Sequence, residues 1–92
     1  MRFALASSLE NCTWDALCRL WEAADSAELW ESAWTGDHFY PFLHDPAGPC
    51  WEGWTSLAAL SQRTRRLRIG VLVSGMPHRH PAGLANMAPT VD

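Results

Sequence analysis

Apolar residues in this chain recur with two different periods, and the switches between them divide it into elements. Phe3 to Ser7, FALAS, is a short apolar run that predicts a first strand. Trp14, Leu17, Cys18, Trp21 and Ala24 then fall at i, i+3, i+4, i+7 and i+10, the spacing of one helix face. Thr13 can cap that helix, with Asp15 in its first turn, and the pattern carries it to about Glu28. Glu31 to Gly36, ESAWTG, predicts a second strand ending at a glycine. The stretch Asp37 to Cys50 is broken by prolines and a glycine and reads as a loop.

Helical spacing resumes at Trp51, Trp54, Leu57 and Ala58 and continues to about Thr64. In LRIGVLVSG, residues Leu67, Ile69, Val71 and Val73 alternate while Leu72 is also apolar. That predicts a third strand buried on both faces, as in a parallel sheet. Pro81 suits the first turn of a third helix through AGLANMA. Pro89 should interrupt it, since an internal proline costs about 3 kcal/mol.

Strand and helix thus alternate, which argues for parallel strands joined by right-handed crossovers. In such folds ligands bind at the carboxyl ends of the strands. Three groups fall there: Ser7 and Ser8 after the first strand, Asp37 and His38 after the second, Ser74 and Gly75 after the third. A histidine near neutrality exchanges protons at physiological pH, so Asp37–His38 is a candidate for acid–base chemistry. The alternative is a pair that merely closes the loop. Ser7 and Ser8 are candidates to line a substrate pocket.

Composition narrows the functional classes. With 92 residues there is room for one small domain, and 48% hydrophobic with 18% charged residues is ordinary globular composition. A net charge of −3 gives no electrostatic case for nucleic acid. The one basic run, Arg63 to Arg68, reads as a solvated helix end. No stretch approaches the apolar length of a membrane span, and the first residues make too short an apolar run for a secretory signal. Three cysteines without CxxC spacing support neither a disulfide framework nor a zinc site, so a reduced, cytoplasmic setting is expected. His78 and His80 lack a third ligand at fitting spacing and read as a helix start, Cys50 as an inert thiol, Trp51 and Trp54 as packing residues. Six tryptophans call for a thick packing layer that a chain this short struggles to supply alone.

DHFYPF, then GPCWEGWTSLAALSQRTRRLRIGVLVSG, then RHPAGLANMAPTVD occur in an order that resembles the luciferase-like monooxygenase family. The nearest branch is that of oxidoreductases using the deazaflavin coenzyme F420. The resemblance implies a TIM (β/α)8 barrel with flavin or deazaflavin bound at the carboxyl-terminal rim and hydride passed to or from a small-molecule substrate. It implies catalytic roles for Asp37 and His38 close to the ring. It also implies a cis peptide at Leu72–Val73 behind the cofactor, with Ser74 and Gly75 flanking it. The implied cofactor is F420, with FMN as the alternative.

The chain departs from the family pattern at Leu29 to Ser32, where Gly-Phe-Asp-Ser is usual, at Asn86 in place of a common lysine, and at Pro89. A TIM barrel takes about 250 residues. Residues 1–92 are therefore expected to be a truncated N-terminal part, the first three βα units, binding cofactor weakly if at all. The alternative is a non-catalytic fragment that must associate with the missing barrel part or another chain. Either way, homo-oligomerisation or aggregation through the uncovered edge is expected.

Overall fold

The computed structural model describes residues 1–92. The elements are β1 Phe3–Ser7, α1 Trp14–Ser26, β2 Trp30–Thr35, α2 Gly53–Ser61, β3 Arg68–Val71 and α3 Pro81–Val91, with a short 3-10 turn at Met76–His78. The strands form one sheet in the order β1-β2-β3, and both pairings are parallel. This is the partial α/β barrel arrangement expected, three βα units side by side.

Register explains which face is buried. Leu5, Ala33 and Ile69 lie in one row, Ser7, Thr35 and Val71 in the next. Side chains alternate along a strand, so these rows share one face. Leu5, Ala33, Ile69 and Val71 pack with Leu17, Cys18, Trp21 and Ala24 of α1 and Leu57 and Leu60 of α2. Ala4, Ala6, Ser32, Trp34 and Gly70 occupy the opposite face, which no helix covers. There the Trp34 ring lies over Gly70, where an added Cβ would come within 2.5 Å of it. The accessible surface is 6090 Å², against about 5,400 Å² for a compact monomer of this mass. The open face and two unpaired edges account for the excess.

Sequence and structure differ at the ends of elements, for identifiable reasons. The first helix stops at Ser26 rather than Glu28 because Ala27 is already extended. No glycine turns the chain there. Instead the Arg66 guanidinium donates to the carbonyls of Ala24, Asp25, Ala27 and Trp30 at 3.1, 2.9, 2.7 and 2.7 Å. The Asp25 carboxylate returns the contact, accepting from the N–H groups of Arg65, Arg66 and Leu67. The basic run is therefore a clamp on α1, not only a solvated helix end.

The second strand begins one residue earlier than expected, at Trp30. The second helix starts at Gly53, not Trp51, because Glu52 caps it by accepting from the N–H groups of Trp54 and Thr55. Trp51 precedes that cap, donates to the Cys12 carbonyl at 3.0 Å and meets Trp14 edge-on. The third strand is shorter than expected and only half-buried, since it forms the edge of the sheet and its second face is uncovered. The third helix runs through Pro89 to Val91. In the last turn the proline forfeits one donor only, while Thr90 Oγ1 donates to the Asn86 carbonyl at 2.6 Å. No helix is long and apolar enough to cross a membrane.

Candidate functional site

Beyond β1 the chain turns at Asn11, whose φ of 53° lies in the left-handed region that asparagine tolerates. Asn11 N–H donates to the Pro49 carbonyl and Trp51 N–H to the Leu9 carbonyl, at 2.8 and 3.0 Å. These bonds pin the end of the 37–50 loop against the end of β1, with Glu10 paired to Cys50 in an antiparallel bridge. Glu10 is thereby buried, its side chain 3% exposed. Its carboxylate accepts from His38 Nδ1 at 2.8 Å and from the N–H groups of Phe42 and Leu43 at 3.1 and 3.3 Å. The His38 hydrogen bond foremost, with those two N–H groups, holds the Glu10 carboxyl below its ordinary value against the opposing effect of burial. An ionised Glu10 fixes the proton of His38 on Nδ1 and leaves Nε2 without a protein partner.

Asp37, the neighbour expected to act with His38, faces the other way. Its side chain is 1% exposed. Arg79 grips it with both nitrogens, at 2.6 and 2.7 Å, and Gly75 N–H donates to it at 2.7 Å. Ser74 Oγ adds a long contact at 3.4 Å. Burial pushes the Asp37 carboxyl up, but the Arg79 fork and the Gly75 N–H outweigh it and hold it below the usual range. The same guanidinium also bonds Glu52, whose carboxyl is likewise lowered. Gly53 makes this possible: a Cβ there would stand 2.7 Å from Asp37 Oδ1 and 2.7 Å from the Gly36 carbonyl. Held this way, Asp37 is a framework group.

The Leu72–Val73 peptide is cis, as the resemblance implied. Leu72 N–H donates to the Thr35 carbonyl at 2.7 Å, and the two apolar side chains stand 57% and 72% exposed. Ser74 and Gly75 do not present their polar groups to a ligand. Ser74 Oγ accepts from Trp54 Nε1 at 2.9 Å, and both residues turn toward Asp37.

A pocket of about 300 Å³ opens at the strand ends, lined among others by Ser7, Ser8, Glu10, Trp34, His38 and Leu72. Of the residues singled out from sequence, His38, Leu72, Ser7 and Ser8 come together here, while Asp37, Val73, Ser74 and Gly75 lie outside the lining. The Ser7 hydroxyl is spent on Trp21 Nε1 and the Trp34 carbonyl. Glu10 was missed; the only signal for it was a lone carboxylate just past the first strand. Cys50 donates to the His38 carbonyl at 3.3 Å, and burial raises its thiol. His80 caps α3 through Nδ1, and His78 stacks on Phe39 at 4.2 Å between ring centroids. No group of three or more His, Cys, Asp or Glu side chains is arranged to hold a metal ion.

No curated protein matches the chain. Among solved structures, an F420-dependent secondary alcohol dehydrogenase in complex with an F420-acetone adduct is similar with a TM-score of 0.81 and 24% identity. The match covers 94% of this chain and 26% of that one, so the chain spans about a quarter of that enzyme's length. At that identity the likeness is one of fold. The profile of the luciferase-like monooxygenase family matches residues 1–92, the whole of the sequence. The chain belongs to the luciferase-like monooxygenase family.

Proposed function

We propose that the chain supplies one sector of an oxidoreductase site in which a deazaflavin of the F420 type, or alternatively FMN, exchanges hydride with a small-molecule substrate. One observation carries this reading: His38, half-exposed at the carboxyl rim, has its Nδ1 held by the buried Glu10 carboxylate, which leaves Nε2 available. Family membership and the F420-dependent neighbour support it.

The residues present suit a planar ring. Ala6, Trp34 and Leu72 give the pocket apolar walls, and Leu72 and Val73 offer exposed apolar surface beside it. Arg79, the cation nearest the strand ends, is spent on Asp37 and Glu52, so these residues would hold the ring rather than a phosphate-bearing tail. Such a group, when bound, accepts or donates hydride. The protein's own part is proton handling. In the neutral ring, Nε2 carries a lone pair that can take the proton of a substrate hydroxyl as the alcohol is oxidised. In the reverse direction the imidazolium returns it to a carbonyl oxygen, its charge balanced by Glu10.

Titrating the uniformly 15N-labelled chain with oxidised and reduced F420, and separately with FMN, tests the reading through its imidazole and backbone amide signals. The expected result is binding weaker than micromolar, with shifts centred on His38 and reduced in Leu72→Asp. Shifts confined to the opposite end of the sheet, around Phe3 and Arg68, would overturn it, as would no shift of His38 with any of the ligands.

A further inference from the structure

The His38 ring has one hydrogen bond, to Glu10, and meets the Phe42 ring edge-on, but both of its sequence neighbours are gripped by a different part of the chain. Asp37 is held by the Arg79 fork. Phe39 stacks on His78 at 4.2 Å and lies 6.0 Å from the Arg79 guanidinium carbon. The two-residue segment His78–Arg79 therefore holds the side chains on either side of His38. Arg79 is itself anchored a second time on Glu52, the N-cap of α2. Gly53 leaves room for this convergence at the cost of any side chain of its own.

We infer that Arg79 is a positioning residue for His38, acting through Asp37 to aim the imidazole at Glu10. The inference rests on the reading of His38 as the reactive group. Between Thr35, the last residue of β2, and His38 there are only Gly36 and Asp37. Gly36 has no side chain to restrain it, so along the chain from β2 the Asp37 carboxylate is the one side-chain anchor before the histidine; beyond it, Cys50 Sγ holds the His38 carbonyl. Arginine suits the task because its planar fork meets both carboxylate oxygens, which fixes direction as well as distance. Lysine in its place keeps the charge and loses the fork.

The test follows the His38 ring itself rather than turnover. In the 15N-histidine NMR spectrum of the 92-residue chain, His38 is expected as the Nδ1–H tautomer. Glu10→Gln probes the underlying reading and is expected to weaken that preference. Arg79→Lys and Asp37→Asn are expected to weaken it too, shifting His38 toward the Nε2–H tautomer while near-ultraviolet tryptophan dichroism is retained. If Glu10→Gln moves the tautomer and the two folded variants leave it unchanged, the positioning role is refuted. If Glu10→Gln itself has no effect, it is the reading of His38 that fails. Should Arg79→Lys lose its fold, Asp37→Asn decides by the same signal, since it keeps the side-chain shape and removes only the charge that the Arg79 fork holds.

Discussion

Thr35 sits at the end of β2 with its Oγ1 buried and without a hydrogen-bond partner. An unsatisfied buried hydroxyl costs about 1–3 kcal/mol. Valine keeps the branched shape and removes the unmet group, so Thr35→Val is expected to stabilise the fold by about 1 kcal/mol, raising the melting temperature by about 4–8 °C for a chain this small. Thermal unfolding followed by circular dichroism checks this, and a lower melting temperature would mean the hydroxyl has a partner after all. The same scale shows what sequence could and could not reveal. His38 was recognisable because it stands directly after a strand in a loop rich in aromatics. Its carboxylate partner was not, because Glu10 lies 28 positions away and only the return of the 37–50 loop onto β1 joins them. The adjacent Asp37 looked like the natural partner, but Arg79, 42 positions off, claims it.

Helices were legible from their apolar spacing, and their starts from the chemistry of their caps. Thr13 accepts from Ala16 N–H at 3.2 Å, and Pro81 opens the first turn of α3. The end of α1 was not legible because it is finished from outside, by an arginine forty residues further on. Removing that side chain leaves four carbonyls to solvent, while the Asp25 carboxylate keeps the backbone N–H groups it accepts from. Arg66→Ala is expected to destabilise the chain by about 1–2 kcal/mol, given the net worth of a charge-assisted hydrogen bond at an exposed site. Amide exchange should quicken first from Ala24 to Trp30; uniform quickening along the chain would show that the clamp is not local. The third strand misled for a related reason. Its apolar run suits burial on two sides, and the sheet supplies one.

Across the whole molecule, four carboxylates are held below their ordinary values. Asp25 and Asp37, ordinarily 3.8, and Glu10 and Glu52, ordinarily 4.5, are all lowered by hydrogen bonds formed only on folding. A depressed carboxyl stabilises the fold above its unfolded value, and that contribution is lost as pH falls through the folded one. The melting temperature is therefore expected to be flat above about pH 5 and to fall steeply below about pH 4. Asp37→Asn should soften the decline, and a melting temperature unchanged to about pH 3 would contradict the linkage.

The free margin of β3 has a directional consequence. Its vacant peptide groups accept only a strand in matching register, and a parallel one entering beside Arg68 would finish beside Leu72. Whatever residue came next on such a strand would emerge at the mouth of the cleft, within the neighbourhood of the imidazole. The margin thus sets where the end of a further parallel strand would lie, whichever polypeptide delivers it.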